Sequence, residues 1–367
     1  MLDLESIELA RTASEPPSLK QVIDTYIKLR PLKPNTITGM CNALNRTIGD
    51  WLQLPITQIT KQMVLERFVS LSDANGPRGT GAAQANLVMR YLRALYNFAI
   101  ALYENEDGEQ IIKVNPVAQL SKLKAWNKVK RRTTIVKRLD LPAWFKAVQT
   151  LPESPESLKL CSSYPDRGAV ARDYLTLLWL TGCRRSEAVN LQWKDVDLKC
   201  GFITFHDTKN GKSHTLPLSR YLWQMLSERR MAVESSHPYV FPGTLKNKPI
   251  SKWSKRINSE VIRLTGIKFT LHDLRRGFAS TAAQLGLEGP TLKRLLNHST
   301  DSDVTAGYVC MEPEDLREHM QAITDRLLGY ADYLPPDTPD EDVIVSFMRK
   351  RQQLRSGSRP RPTRISS

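Results

Sequence analysis

The chain has 367 residues, enough for two domains with buried cores, and its 41% hydrophobic and 25% charged content is ordinary for a globular protein. Its charge is not balanced: 53 Lys and Arg against 38 Asp and Glu give +15, an excess that suits polyanions through phosphate contacts and counterion release, or else a basic enzyme with no such partner. Five scattered cysteines (Cys41, Cys161, Cys183, Cys200, Cys310) make no C-x-x-C pair, the N-terminus lacks the apolar run of a secretory signal, and no stretch reaches the roughly eighteen apolar residues of a membrane span. These features argue against a disulfide framework, a zinc site or a membrane protein, and for reduced thiols in a cytoplasm, at the nucleoid if the partner is DNA.

After a leader at 1–16, Ser18-Leu-Lys-Gln21 reads as a capping box, with Leu19, Val22, Ile23, Tyr26 and Ile27 following at helical spacing. Further helices are expected from Pro34-Asn35, after Thr60, and over Ala82–Tyr103. In the last of these, Leu87, Tyr91, Leu92, Leu95, Phe98, Ala99 and Leu102 form one stripe, with Arg90 and Arg93 free to face outward. A helical domain over 17–118 closes near Asn115-Pro116-Val117. Residues 119–138 then carry eight Lys and Arg and no acid. Such a run is either a solvated face or an interdomain linker that lies along a duplex through Lys122, Lys124, Lys128, Lys130, Arg131 and Arg132.

The second domain, 139–330, opens with a helix after Asp140 and Pro142. A Pro- and Ser-rich loop at 152–167 leads to a buried helix over Val170–Leu180. Gly201–Phe205 and His214–Leu218 flank an Asn210-Gly211 turn, the signature of a β-hairpin. Helices are expected at 219–231, 251–265, 271–285 and 290–297, and one after Tyr308 aligns Leu316, Met320, Ile323 and Leu327. A Pro-rich, acidic and then basic tail at 331–367 is expected to be disordered. The fold class is mainly α with a small β-sheet.

The chemistry-bearing groups suit a phosphodiester. Cleaving one needs an in-line nucleophile, charge on the non-bridging oxygens and a proton for the leaving oxygen. Arg184 and Arg275 offer planar forks that bind two phosphate oxygens at once. Arg184 follows Gly182 at a helix end, and Glu187 could hold it; a surface arginine paired with Glu187 would look the same. Thr270-x-x-Asp273 starts a helix whose first turns hold His272 and Arg275, where an anion is welcome. His272 could equally be a hydrogen-bonded core histidine, although the adjacent Arg275 and Arg276 both seek anions. Lys209 at the hairpin turn could protonate a leaving oxygen, with Lys212 its local competitor. His298 could bond a phosphate oxygen, and Tyr308 could attack phosphorus.

The order Arg, Lys, His-x-x-Arg, His, Tyr resembles the tyrosine recombinase family, in particular phage-type integrases, over roughly residues 17–330. The resemblance rests on T-G-C-R-R-S-E (181–187), the hairpin with Lys209, L-H-D-L-R-R-G-F-A-S (271–280) and L-L-N-H-S with V-T-A-G-Y-V (295–309). It implies a helical core-DNA-binding domain and a mixed α/β catalytic domain. It also implies a 3′-phosphotyrosyl link formed by Tyr308, a phosphate clamp of Arg184 and Arg275, Lys209 as general acid, His272 in proton transfer, His298 on the phosphate and Glu187 as buttress. Arg276 joins the DNA-binding residues. No metal or ATP is implied, because the tyrosyl phosphodiester keeps the bond energy. Implied partners are double-stranded DNA, a homo-tetramer exchanging a C-terminal element, and a DNA-bending or directionality factor; the biological role is integration or excision of a prophage or other mobile element.

Small departures stand out: His298 and Tyr308 are ten apart where nine is frequent, Arg276 occupies a position often held by histidine, Cys183 replaces a usual leucine, and the leader looks short for an arm-binding domain. The stripe Leu316, Met320, Ile323, Leu327 fits either the exchanged element or ordinary packing in its own domain. Two rival readings remain: a type IB topoisomerase, and a DNA-binding regulator built on a helix-turn-helix over 280–296 with Gly286 in its turn.

Overall fold

The computed structural model describes residues 15–76, 79–104, 108–153, 167–206, 211–232, 237–243, 247–250, 254–298 and 312–334. Lys209, Tyr308, Cys161, Cys310 and the tail from 335 lie outside them. The chain divides after Arg132 into two compact units.

In the first unit, α1 (Leu19–Leu29) starts at the expected capping box. Gln21 N–H donates to Ser18 Oγ at 3.2 Å and Ser18 N–H to Gln21 Oε1 at 2.8 Å, so two orphan donors are satisfied reciprocally. Helix α2 (Pro34–Ile48) opens on proline, whose missing N–H costs nothing there, and α3 (Lys61–Ser72) is capped by Thr60. Helix α4 (Ala82–Leu102) is the spine of this core, though its buried face is rotated from the expected stripe. Ala85, Val88, Met89, Leu92, Leu95, Tyr96 and Ala99 are within, while Leu87 is exposed. The rotation follows from Tyr96, whose hydroxyl reaches the Ile56 carbonyl at 2.7 Å and so can be buried without an orphan donor.

The expected linker is only partly a solvated run. Short helix α5 (Ala118–Lys122) buries Leu120, Trp126 packs edge-on to Phe68 at 5.9 Å, and Asn127 bonds Asn86. The apolar residues among the lysines therefore extend the first unit past 118. Asn115 fastens this end, donating to the Arg93 carbonyl at 3.0 Å and accepting from Val117 N–H at 3.0 Å. Lys122, Lys124, Lys128, Lys130, Arg131, Arg132, Arg90 and Arg93 are exposed.

In the second unit, α6 (Leu141–Gln149) and α7 (Arg167–Thr181) join Trp144, Phe145, Trp179 and Phe269 in an aromatic cluster with centroids 5.0–6.4 Å apart. Helix α7 is buried on nearly every side, which is why its sequence is apolar without a clear stripe. It is followed by α8 (Arg185–Val189) and a three-stranded antiparallel sheet of β1 (Val196–Asp197), β2 (Phe202–Phe205) and β3 (His214–Pro217), in that order. The β2–β3 hairpin is the one expected, with Phe205 opposite His214; β1 is an addition, too short to show a pattern in the sequence.

Helices α9 (Arg220–Ala232), α10 (Ser254–Thr265), α11 (Leu271–Gln284), α12 (Gly289–Leu295) and α13 (Arg317–Tyr330) complete this unit. Leu316, Met320, Ile323 and Leu327 are all at most 1% exposed within this chain's own core. Within the single chain the stripe packs internally, its four large apolar side chains covering α7 and α11.

Candidate active site

Gly182 ends α7 with φ +60°, and a Cβ there would stand 2.6 Å from the Phe278 ring. Glycine alone fits both the left-handed turn and the close approach of α11. The turn places Arg184 at the start of α8. Glu187, buried, accepts from Arg184 N–H at 2.7 Å and from Arg184 Nη1 at 2.9 Å, so one carboxylate caps the helix and fixes the guanidinium. The exposed-surface alternative for Arg184 fails on burial: Arg184 is 22% and Glu187 1% exposed at the side chain.

Helix α11 begins as expected, Asp273 accepting from Thr270 N–H and Oγ1, both at 2.8 Å. Arg275, one turn in, is buried and donates to the Gly182 carbonyl at 2.6 Å and to the Leu296 carbonyl. Among the described residues no carboxylate bonds it. Arg276 has already found an anion: its Nη1 lies 2.6 Å from Asp273 Oδ1 and also donates to the Thr134 carbonyl at 3.2 Å. Burial alone would raise the Asp273 carboxyl, but hydrogen bonds from Thr134 and Thr270, with Arg276 beside it, hold it below its ordinary range. Thr134 in this network carries no signal in the sequence.

The third piece is the end of α12. Asn297 sits at φ +48° and His298 N–H reaches back to the Lys293 carbonyl at 3.0 Å, a Schellman-type turn of the kind asparagine tolerates. Such a helix end leaves carbonyls without intrahelical partners. Three successive ones take side chains from three elements: Leu295 O from His214 Nε2 of β3 at 3.2 Å, Leu296 O from Arg275, and Asn297 O from Arg184 Nη2 at 3.0 Å. Residues more than ninety positions apart are thereby held side by side, with exposed His298 directly after the turn.

The electrostatics suit an incoming anion. Burial and then the Arg184 charge hold Arg275 below its usual value. Both histidines keep solvent access, and partial desolvation with the nearby cations lowers each: Arg275 and Arg184 at His298, Arg276 and Arg275 at His272, with Asp273 opposing there. Both imidazoles are therefore neutral at pH 7, able to give or take one proton, and a bound phosphate would move each upward. Of the expected constellation, Arg184, Glu187, Arg275 and His298 converge on this turn, with His272 near enough to feel the same charges. Lys209 and Tyr308 fall outside the described residues. Lys212 is exposed beside the hairpin. The segment likened to a helix-turn-helix does form as α11, a turn with Gly286 at φ +79°, and α12, but its helices supply Arg275 and the carbonyl turn, so it is part of this site.

A mainly helical unit with a small sheet and a paired-arginine cradle defines a class that comparison with known proteins identifies. The profile of the Phage integrase family matches residues 149–314. Tyrosine recombinase XerA of Pyrococcus furiosus is 32% identical over 232 residues, covering 60% of this chain and 78% of that protein. Prophage integrase IntF of Escherichia coli K12 is 24% identical over 292 residues, 77% of this chain and 56% of that one. In fold, the lambda integrase tetramer bound to a Holliday junction matches with a TM-score of 0.57 at 19% identity, over 81% of this chain and 80% of that one. The chain belongs to the tyrosine recombinase family. No described helix is long and apolar enough to cross a membrane.

Proposed function

We propose that this enzyme cuts and rejoins DNA strands at a specific site through a 3′-phosphotyrosyl intermediate, integrating or excising a mobile element. Tyr308 attacks the scissile phosphorus; a Tyr–O–P bond forms as the bond to the 5′ oxygen breaks. Arg184 and Arg275 neutralise the non-bridging oxygens, His298 bonds one of them, His272 takes the phenolic proton, and Lys209 protonates the leaving 5′ oxygen. Reversal by a partner strand's 5′ hydroxyl rejoins DNA with no external energy source, because the tyrosyl phosphodiester replaces the one broken. Glu187 holds Arg184 in place. The exposed basic residues at 122–132, with Arg90 and Arg93, contact the backbone of double-stranded DNA, and four copies assemble on the junction, as the lambda integrase relative does. Accessory bending or directionality factors belong to the same proposal.

The observation carrying this reading is the pair of guanidinium groups fixed by the adjacent carbonyls of Leu296 and Asn297, one of them buried without a bonded carboxylate among the described residues. Such a cradle is complementary to a phosphorane-like transition state more than to any resident group. The test is to incubate the protein with fragmented genomic DNA of its source, recover denaturation-resistant adducts, and sequence the attached ends. A nicked duplex built on that site should trap the adduct with the wild type and not with Tyr308→Phe, which should still bind. An adduct formed by Tyr308→Phe, or none by the wild type, refutes the assignment. Relaxation of any plasmid irrespective of sequence would favour the topoisomerase reading.

A further inference from the structure

His214 is one of the least exposed polar side chains in the second unit, at 3%. It lies on β3, opposite Phe205, with the two rings stacked at 6.3 Å. Its Nε2 meets the Leu295 carbonyl at 3.2 Å, across 81 residues of sequence. A carbonyl only accepts, so Nε2 carries the proton and the ring is an oriented donor. Leu295 O is the first of the three carbonyls whose next two hold Arg275 and Arg184. The histidine therefore ties the sheet to the turn that aims both arginines. Packing alone does not account for this choice, since any apolar ring would fill the space beside Phe205 without donating to a helix-end carbonyl.

We infer that His214 is a positioning residue for strand cleavage: its hydrogen bond to Leu295 sets the carbonyl turn and, through it, the two guanidinium groups that receive the phosphate. It touches no substrate. The inference rests on the strand-cleavage reading above, and it adds that the small sheet takes part in building the phosphate cradle.

The experiment compares His214→Phe, which keeps ring volume and loses the donor, with His214→Gln, whose amide can reach the same carbonyl. The nicked duplex on the mapped site serves for both DNA affinity and single-turnover adduct formation. His214→Phe should bind DNA within about two-fold of the wild type and cleave about ten- to hundred-fold more slowly, the scale of a small misplacement of charge-stabilising groups. His214→Gln should restore most of the rate. Wild-type cleavage rates in His214→Phe, equal losses in binding and cleavage, or failure of His214→Gln to restore cleavage would each overturn the inference. Should His214→Phe not fold, His214→Gln against His214→Asn decides, because both carry an amide and only the longer one reaches; equal rates for these two overturn it. Absence of any wild-type adduct defeats the cleavage reading instead, so the two failures are separable.

Discussion

Replacing Glu187 by glutamine changes one atom at the centre of the arginine cradle. Both oxygens of the carboxylate are in use, one on Arg184 N–H and one on Arg184 Nη1. An amide retains one acceptor and turns a donor toward the other partner. The loss is one charge-assisted hydrogen bond, about 1.5–3 kcal/mol, together with a donor facing a donor in a buried place, about 1–3 kcal/mol. Arg184 is 22% exposed, so water recovers part of this. The net expectation is about 2–4 kcal/mol off the stability of the second unit, read by urea unfolding. Arg184 then keeps the Asn297 carbonyl and one neutral amide oxygen in place of a two-point ionic grip, so adduct formation should fall about ten- to hundred-fold while DNA affinity holds or rises with the lost negative charge. A stability change under about 0.5 kcal/mol, or binding lost in parallel with cleavage, would refute this account of the cradle.

Arg184→Ala should lose adduct formation far more than DNA affinity, because its contact strengthens in the transition state; equal losses count against a catalytic role. Acid stability isolates His214, whose ring is held by burial from the ordinary 6.5 to about 4. The unfolded chain takes up this proton as pH falls through 6.5 and the folded one resists until about 4, so stability present above 6.5 is lost across that window. Between about pH 8 and pH 5 the wild type should lose about 2 kcal/mol more than His214→Gln in urea unfolding, and parallel profiles would contradict it. Ile323→Ala should cost about 2–5 kcal/mol of the same stability as a core truncation. An unchanged unfolding midpoint with weakened self-association would instead return the stripe to an intersubunit face.

Cap chemistry and strong periodicity are legible in the amino-acid letters alone. Ser18, Thr60 and Thr270-x-x-Asp273 start helices through local cap hydrogen bonds, Pro34 starts one where its missing N–H costs nothing, and the turn signal in the letters falls between two strands that do pair. These are interactions within a few residues, so neighbouring letters suffice to find them. Features that depend on a distant partner are not legible in this way. On α4 the spacing puts Leu87 in the stripe and leaves Tyr96 out; the structure buries Tyr96 instead, its hydroxyl satisfied by the distant Ile56 carbonyl. Arg276 reads as a second anion-seeking cation beside Arg275, yet Thr134 and Asp273 already hold it. His214 reads only as a strand residue, because its partner Leu295 is 81 positions away.

The sequence by itself determined the residue types of the site and their order, because a phosphate clamp needs guanidinium groups and a transesterification needs a nucleophile, and side chains are written in the chain. Only the tertiary structure decided how Arg184 and Arg275 are aimed. Glu187 holds Arg184 locally, three residues away, as its spacing suggests; the other groups that aim the pair are backbone carbonyls of Gly182, Leu296 and Asn297. Every residue has a carbonyl, so no letter marks the three that matter; their lone pairs become available only where two helices end, α7 at Gly182 and α12 at Leu296 and Asn297.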